Sequence, residues 1–382
     1  MPRTYPLTAK QSKQGLKMSN WPKWLPLKEE LQTLTPYGAP QDHAEARLNT
    51  NENPYGPTPE LSSAIANRIG EVASNLNRYP DRDAVKLRGE LANYLNRIDQ
   101  RSSVKLTAKN IWAANGSNEI IQSIFLAFGS GPALGFLPSY SMHPLIAKVT
   151  GVNWISGSRN LDFSLDTYSA INQIQEIKPS LTFITTPNNP TGQAIAFDDL
   201  ALIAKAAAAN HGLLIVDEAY AEFSKERSAI NLIADFPNVI VSRTMSKAFA
   251  FAGARLGYMA ADSAAIEALQ LVRLPYHLSA LTQAAAEVAL DFQTELLAKV
   301  GQLIKARDAV ANSLVELGLK VVPSDANFIL FSGFELNSQQ LWEQLLAEGV
   351  LIRDVGLDGW LRVTIGNDAE NQLFLKALKG LL

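Results

Sequence analysis

A lysine, Lys247, closes the run Val239-Ile240-Val241-Ser242-Arg243-Thr244-Met245-Ser246-Lys247, and Arg255 follows eight residues later. An amine just past an apolar strand, in a hydroxyl-rich turn with an arginine beyond it, suits condensation with an aldehyde while nearby groups grip a phosphate. Pyridoxal phosphate is the aldehyde to which this chemistry points. Lysines in such turns are ordinarily solvated, and a neighbouring arginine ordinarily packs or pairs at the surface. The stretch therefore needs support from elsewhere in the chain.

Two further apolar runs supply it. Leu213-Leu214-Ile215-Val216 ends in Asp217-Glu218-Ala219-Tyr220, and Thr182-Phe183-Ile184-Thr185-Thr186 ends in Pro187-Asn188-Asn189-Pro190-Thr191-Gly192. Both put polar residues beyond the carboxyl end of a buried parallel strand, where open α/β sheets build ligand sites. Three such strand ends can converge on one ligand.

Each service the cofactor needs has a candidate residue. Asp217 can pair with a pyridine nitrogen and keep it protonated, which makes the ring an electron sink; the plainer role is a cap on the following turn. Tyr220 and Asn189 can reach a phenolic ring oxygen. Asn115-Gly116-Ser117-Asn118-Glu119 stands between a strand and the helical Ile120-Ile121-Gln122-Ser123-Ile124-Phe125, so its amides crown a helix N-terminus fit for phosphate, although simple helix capping would use the same residues. Thr244, Ser246 and Arg255 can complete that grip. Tyr140 can stack on a ring face, and Arg362 in Leu361-Arg362-Val363-Thr364 can clamp a carboxylate, against the plainer roles of core aromatic and surface strand arginine.

The elements that must hold these residues are legible as alternation. Asp81 and Asp83 precede a helix with Ala84, Leu87, Leu91, Tyr94 or Leu95, and Ile98 on its apolar face. Short apolar runs follow near 111–114, 133–137, 152–156, 182–186, 213–216, 239–243 and 257–261, with helices between several of them. The Ala-rich 198–210, capped by Asp198 and stopped at Gly212, is the clearest. This order predicts a mainly parallel sheet covered on both faces. After about 280 come a long helical tract, a strand around Phe328–Phe331, a helix over 338–348, strands near 351–353 and 361–365, and a last helix, an order that suits a smaller α+β domain.

Bulk properties narrow the function. At 382 residues the chain exceeds one simple core, and 47% hydrophobic with 19% charged residues is an ordinary globular mixture. A net charge of -3 offers no basic stripe for nucleic acid or an anionic membrane, and the absence of cysteine removes disulfides, thiolate nucleophiles and cysteine zinc sites. The four histidines, His43, His143, His211 and His277, form no ligand-like pair, so no metal site is expected. No run is long and apolar enough to span a bilayer and no secretory signal is visible, so a cytoplasmic protein is expected. Residues 1 to about 20 lack periodicity and read as a loose arm, or as an overextended start ahead of Met18.

Together these residues resemble fold-type I pyridoxal-phosphate aminotransferases, and within them the histidinol-phosphate aminotransferase family. The resemblance runs from about Leu31 to the C-terminus. Leu48-Asn49-Thr50-Asn51-Glu52-Asn53-Pro54, Asn77-Arg78-Tyr79-Pro80-Asp81, Ala114-Asn115-Gly116-Ser117-Asn118-Glu119, Pro187-Asn188-Asn189-Pro190-Thr191-Gly192 and Arg273-Leu274-Pro275-Tyr276-His277 all look like that family's motifs. The resemblance implies an N-terminal arm over 1–30, a large cofactor-binding domain over 58–280 with a seven-stranded sheet, and a small domain from 31–57 with 281–382. It implies that Lys247 bonds the cofactor aldehyde and moves the substrate's α-proton, that Asp217, Tyr220 and Asn189 tune the ring, and that Tyr140 stacks on it.

By the same resemblance, Ser117, Asn118, Thr244, Ser246 and Arg255 hold the cofactor phosphate, joined by Tyr79 from a second subunit of a homodimer. Arg362 matches the position that binds the substrate's polar head, and Tyr37 and Arg353 look like those that reach its phosphate. His143 stands where many relatives carry a second aromatic ring. The expected reaction joins histidinol phosphate and 2-oxoglutarate with imidazole acetol phosphate and glutamate. An aromatic amino-acid transaminase on the same scaffold is the nearest alternative. A ligand-sensing regulator would need a DNA-binding module that the roughly 30 residues before the first motif are too few to form.

Overall fold

A computed structural model of the chain describes residues 21–98 and 105–382. The first 20 residues of the expected arm lie outside the described residues. From Ala46 the strands run β1 (Ala46–Arg47), β2 (Ile111–Ala114), β3 (Ala133–Leu137), β4 (Trp154–Ser158), β5 (Leu181–Thr185), β6 (Leu213–Asp217), β7 (Val239–Thr244), β8 (Gly257–Ala260), β9 (Lys320–Val321), β10 (Phe328–Ser332), β11 (Val350–Leu351), β12 (Arg353–Asp354) and β13 (Trp360–Thr364).

Seven of them form one sheet in the order β2-β8-β7-β6-β5-β3-β4, and β8 alone runs antiparallel to its neighbours. Every residue of β5 and β7 is buried, as are the last four of β6. Strands covered by helices on both faces are continuous apolar runs of this kind. The chain winds outward in both directions from the adjacent β3 and β5, and the carboxyl ends of the parallel strands open beside that switch point. A second, antiparallel sheet has the order β12-β13-β10-β9, and β1 pairs in parallel with β11.

Several boundaries differ from the sequence reading. The strand expected over 152–156 lies two residues later, at Trp154–Ser158, after the αL residue Gly151 ends the preceding helix. The helix expected over 198–210 spans Phe197–Ala209; Ala196 is its N-cap, and Asp198 stands in its first turn beside the helix dipole instead of capping it. Ala84 has φ 45° and precedes the helix Val85–Ile98, whose first amide donates to Asp81 Oδ2 at 2.9 Å. The long tract after 280 is two helices, Ala280–Asp291 and Gln293–Glu316, broken at Phe292.

Candidate active site

The cleft is built at the carboxyl ends of β3, β5, β6 and β7 and faces β13, an inner strand of the antiparallel sheet, through Arg362. Lys247 lies three residues past β7. It is half-buried, and its Nζ donates to the carbonyl of Thr50 at 2.9 Å. Burial, followed by the charge of Arg362, lowers its ammonium pKa to about 8. An amine so placed is a usable nucleophile near neutral pH.

Asp217 ends β6 with its carboxylate buried. Its Oδ2 lies 3.1 Å from Nε2 of the equally buried His143, while its Oδ1 is buried and has no partner. A buried carboxylate oxygen without a donor is costly, so this atom marks where a protonated ring nitrogen would be satisfied. The alternative of a turn cap is not realised, because among the described residues no backbone amide donates to the Asp217 carboxylate. His143 is one turn past Tyr140, whose Oη donates to Asn118 Oδ1 at 3.2 Å and whose ring meets the imidazole edge-on at 5.4 Å.

Tyr220 is also buried, and burial raises its phenol pKa. Its hydroxyl accepts from Asn51 Nδ2 at 2.8 Å and from Asn189 Nδ2 at 3.5 Å. The other end of the Asn189 amide accepts from Arg362 Nη1 at 2.6 Å, and Arg362 Nη2 donates to the Asn49 carbonyl at 2.7 Å. Arg362 is thus no surface arginine. It is 6% exposed, its guanidinium lies 5.1 Å over the Phe328 ring, and burial lowers its pKa to about 10, which leaves it charged at neutral pH. Arg353 sits opposite it in the β12–β13 pair. Tyr37 is 53% exposed, and Arg362, Tyr140 and Tyr220 all feel its hydroxyl, which puts it at the cleft mouth.

The residues expected to grip a phosphate gather around the helix Ser117–Phe128. Gly116 caps it with φ 88° and no side-chain bond, leaving its first amides open. Two glycines set this geometry. A Cβ on Gly257 would overlap the backbone of Gly116 and Ser117, and one on Gly116 would come 2.6 Å from Arg255 Nη2. Arg255 itself adopts φ 57° and is exposed. Thr244 donates to Ser246 Oγ at 2.9 Å and receives the Ser246 amide at 3.1 Å, so it shapes the turn that carries Ser246 and Lys247. Tyr79 stands apart from this cluster: it is 78% exposed and stacks on Tyr276 at 4.3 Å.

Behind the cleft an ion-pair network pins the strand ends. Arg243 Nη2 lies 2.7 Å from Glu218 Oε2 and Arg243 Nη1 3.0 Å from Glu222 Oε1, all buried. Burial opposes the Arg243 charge, and the two carboxylates outweigh it. Glu218 follows Asp217 and Arg243 precedes Thr244, so the pair fastens β6 to β7 where both enter the site. This network, His143 as a partner of Asp217, and Asn51 were not assigned roles from sequence. His143 could have been found, since three residues past Tyr140 on a helix start is the same face. Asn51 carries no such signal.

These groups fit pyridoxal phosphate: an orphaned carboxylate oxygen for a ring nitrogen, a phenol for a ring oxygen, an amine of lowered pKa for the aldehyde, and open amides with an arginine for the phosphate.

The family model for aminotransferase class I and II matches residues 45–378. The histidinol-phosphate aminotransferase of Mycobacterium sp. (strain JLS) is 53% identical over 357 residues, covering 92% of this chain and 93% of that protein. The enzyme of the same name from Thermobifida fusca (strain YX) is 53% identical over 359 residues, 93% of this chain and 95% of that one. Among solved structures, the histidinol-phosphate aminotransferase from Sinorhizobium meliloti in complex with pyridoxal-5'-phosphate superposes with a TM-score of 0.82 at 25% identity, over 95% of this chain and 98% of that one.

Proposed function

The chain belongs to the class I and II aminotransferases, and from that premise we propose that it uses pyridoxal phosphate to interconvert histidinol phosphate and 2-oxoglutarate with imidazole acetol phosphate and glutamate. The observation that carries the substrate assignment is the 53% identity, over nine-tenths of the chain, to proteins bearing that activity's name. The guanidinium of Arg353, opposite Arg362 across the β12–β13 pair, supports a substrate with an anionic tail.

Bound in this cleft, pyridoxal phosphate supplies an aldehyde for the amine and an electron-poor ring to take up the electron pair left when the α-proton departs. The chain's own residues do the rest. Asp217 Oδ1 would hold a proton at the ring nitrogen, with His143 anchoring Oδ2. Tyr220 and Asn189 would address the ring oxygen, and Tyr140 would stack on the ring. The open amides of Ser117 and Asn118, with Thr244, Ser246 and Arg255, would hold the phosphate. Lys247 Nζ would be the group that moves the substrate's α-proton; its pKa of about 8 suits proton transfer near neutral pH. Arg362 binds the carboxylate of glutamate and the polar head of histidinol phosphate, while Tyr37 and Arg353 reach the latter's phosphate.

A homodimer is part of the reading. Tyr79, Leu271 and Leu274 are 78%, 86% and 76% exposed, an apolar surface suited to a second copy that receives Tyr79 in its site. Sedimentation should give about twice the 41.6 kDa of one chain. The division into 58–280 and 31–57 with 281–382 is supported by the β1–β11 pairing, which ties the first segment to the last. No described helix is long and apolar enough to cross a membrane, in keeping with a cytoplasmic location.

The test is a coupled glutamate assay on the cofactor-loaded protein with histidinol phosphate, and separately phenylalanine, as amino donor to 2-oxoglutarate. Turnover of histidinol phosphate with phenylalanine far slower is expected. The reverse order would move the chain to aromatic amino-acid transamination, and no turnover of either would sink the reading.

A further inference from the structure

Asn51 occupies the left-handed region with φ 56°, a conformation that asparagine tolerates, and is 2% exposed. Its backbone N–H donates to Thr364 Oγ1 at 3.0 Å, Thr364 Oγ1 donates back to Asn51 Oδ1 at 2.9 Å, and Asn51 Nδ2 donates to the Tyr220 hydroxyl at 2.8 Å. The direction of this chain of bonds is forced. A backbone N–H can only donate, so it occupies a lone pair of Thr364. The Thr364 proton then has one acceptor, Asn51 Oδ1. Turning the amide over would leave that buried proton without a partner. The amide must therefore present N–H groups to Tyr220.

We propose that Asn51, locked by Thr364, is a positioning residue that fixes the polarity of the Tyr220 hydroxyl, so that Tyr220 acts toward the cofactor only as a hydrogen-bond donor. With its oxygen accepting from Asn51 and, at longer range, from Asn189, the phenol has its proton left to give. A donor stabilises the ionised form of a ring oxygen, and bonds in such a chain reinforce one another. The inference rests on the reading above that Tyr220 addresses the cofactor ring. Thr364 is two residues from Arg362 on β13, on the same face of the strand, so the antiparallel sheet sets this polarity from outside the cofactor-bearing strand ends.

The experiment is a pH titration of the visible absorption band of pyridoxal phosphate bound to the purified protein. Asn51→Asp keeps the shape and the tolerance for positive φ but offers only acceptors, so Tyr220 turns its proton away from the cofactor. The midpoint of the band should rise by roughly one pH unit, the size of one hydrogen bond to a charged group. Thr364→Val, which adds no charge, should move it the same way by less, and Thr364→Ser should leave it at the wild-type value. In a Tyr220→Phe background, Asn51→Asp should add little.

An unmoved midpoint in Asn51→Asp and Thr364→Val would overturn the proposal, since a residue needed only for folding would change stability and not the midpoint. A shift that persists undiminished in Tyr220→Phe would also overturn it, because the new carboxylate would then act through its field. A wild-type protein that forms no band would overturn the cofactor reading itself, an outcome distinct from either.

Discussion

His143 Nε2 stands 3.1 Å from Asp217 Oδ2, and both side chains are buried. The pair joins the helix Met142–Thr150 to the end of β6 and leaves the second carboxylate oxygen buried and without a partner. His143→Ala would strand a buried carboxylate, a cost of about 1–3 kcal/mol. The variant is expected to unfold earlier in thermal melts by that amount, and His143→Asn, which keeps a donor, should recover part of the loss. A melt identical to wild type would show the contact to be idle.

The lowered pKa of Lys247 sets a pH dependence with a definite sign. Only the neutral amine attacks an aldehyde, and the amine is neutral above about pH 8. The rate at which cofactor-free protein takes up pyridoxal phosphate should climb with pH and level off above that value. A midpoint near the ordinary lysine range would mean that burial and Arg362 do not act as described. Lys247→Ala should lose roughly 10²–10⁴ in turnover, the range for a positioned proton-transfer group, and should show no borohydride-fixed adduct by mass spectrometry.

Arg362 and Arg353 should separate by substrate. Arg362→Lys keeps the charge but loses the fork that bonds Asn189 and Asn49 at once, so kcat/KM should fall for glutamate and histidinol phosphate alike. Arg353→Ala should cost histidinol phosphate on the order of 10–100-fold, the loss of a hydrogen bond to a charged group, and leave phenylalanine almost unchanged. Equal losses for both substrates would remove Arg353 from phosphate recognition.

Arg243→Ala would leave Glu218 buried and uncompensated, and removing one partner of such a pair costs about 3–5 kcal/mol. The expected outcome is a large drop in denaturant midpoint with an unchanged slope. A drop below about 1 kcal/mol would show that Ser228 and the Ala229 amide, which also bond Glu218, suffice.

The strand ends and the chemistry placed there can be read without the fold. Buried parallel strands must be apolar runs, and polar residues directly after them must emerge at one edge of the sheet; hence Lys247, Asp217, Tyr220 and Asn189 were legible together, as was the helix start at Ser117. Boundaries slipped by a residue or two, as at Trp154 and Phe197, where no local pattern distinguishes the last loop residue from the first of the element. Tertiary structure alone decided the partners. Asn51 meets Tyr220 and Thr364 across 169 and 313 residues of chain, His143 meets Asp217 across 74, and Arg362 is buried because Asn189 and Asn49 fold over it. Hydrogen-bond direction and burial depend on which atoms the fold brings within 3 Å or so of one another, and residues that far apart leave no periodic trace of the meeting.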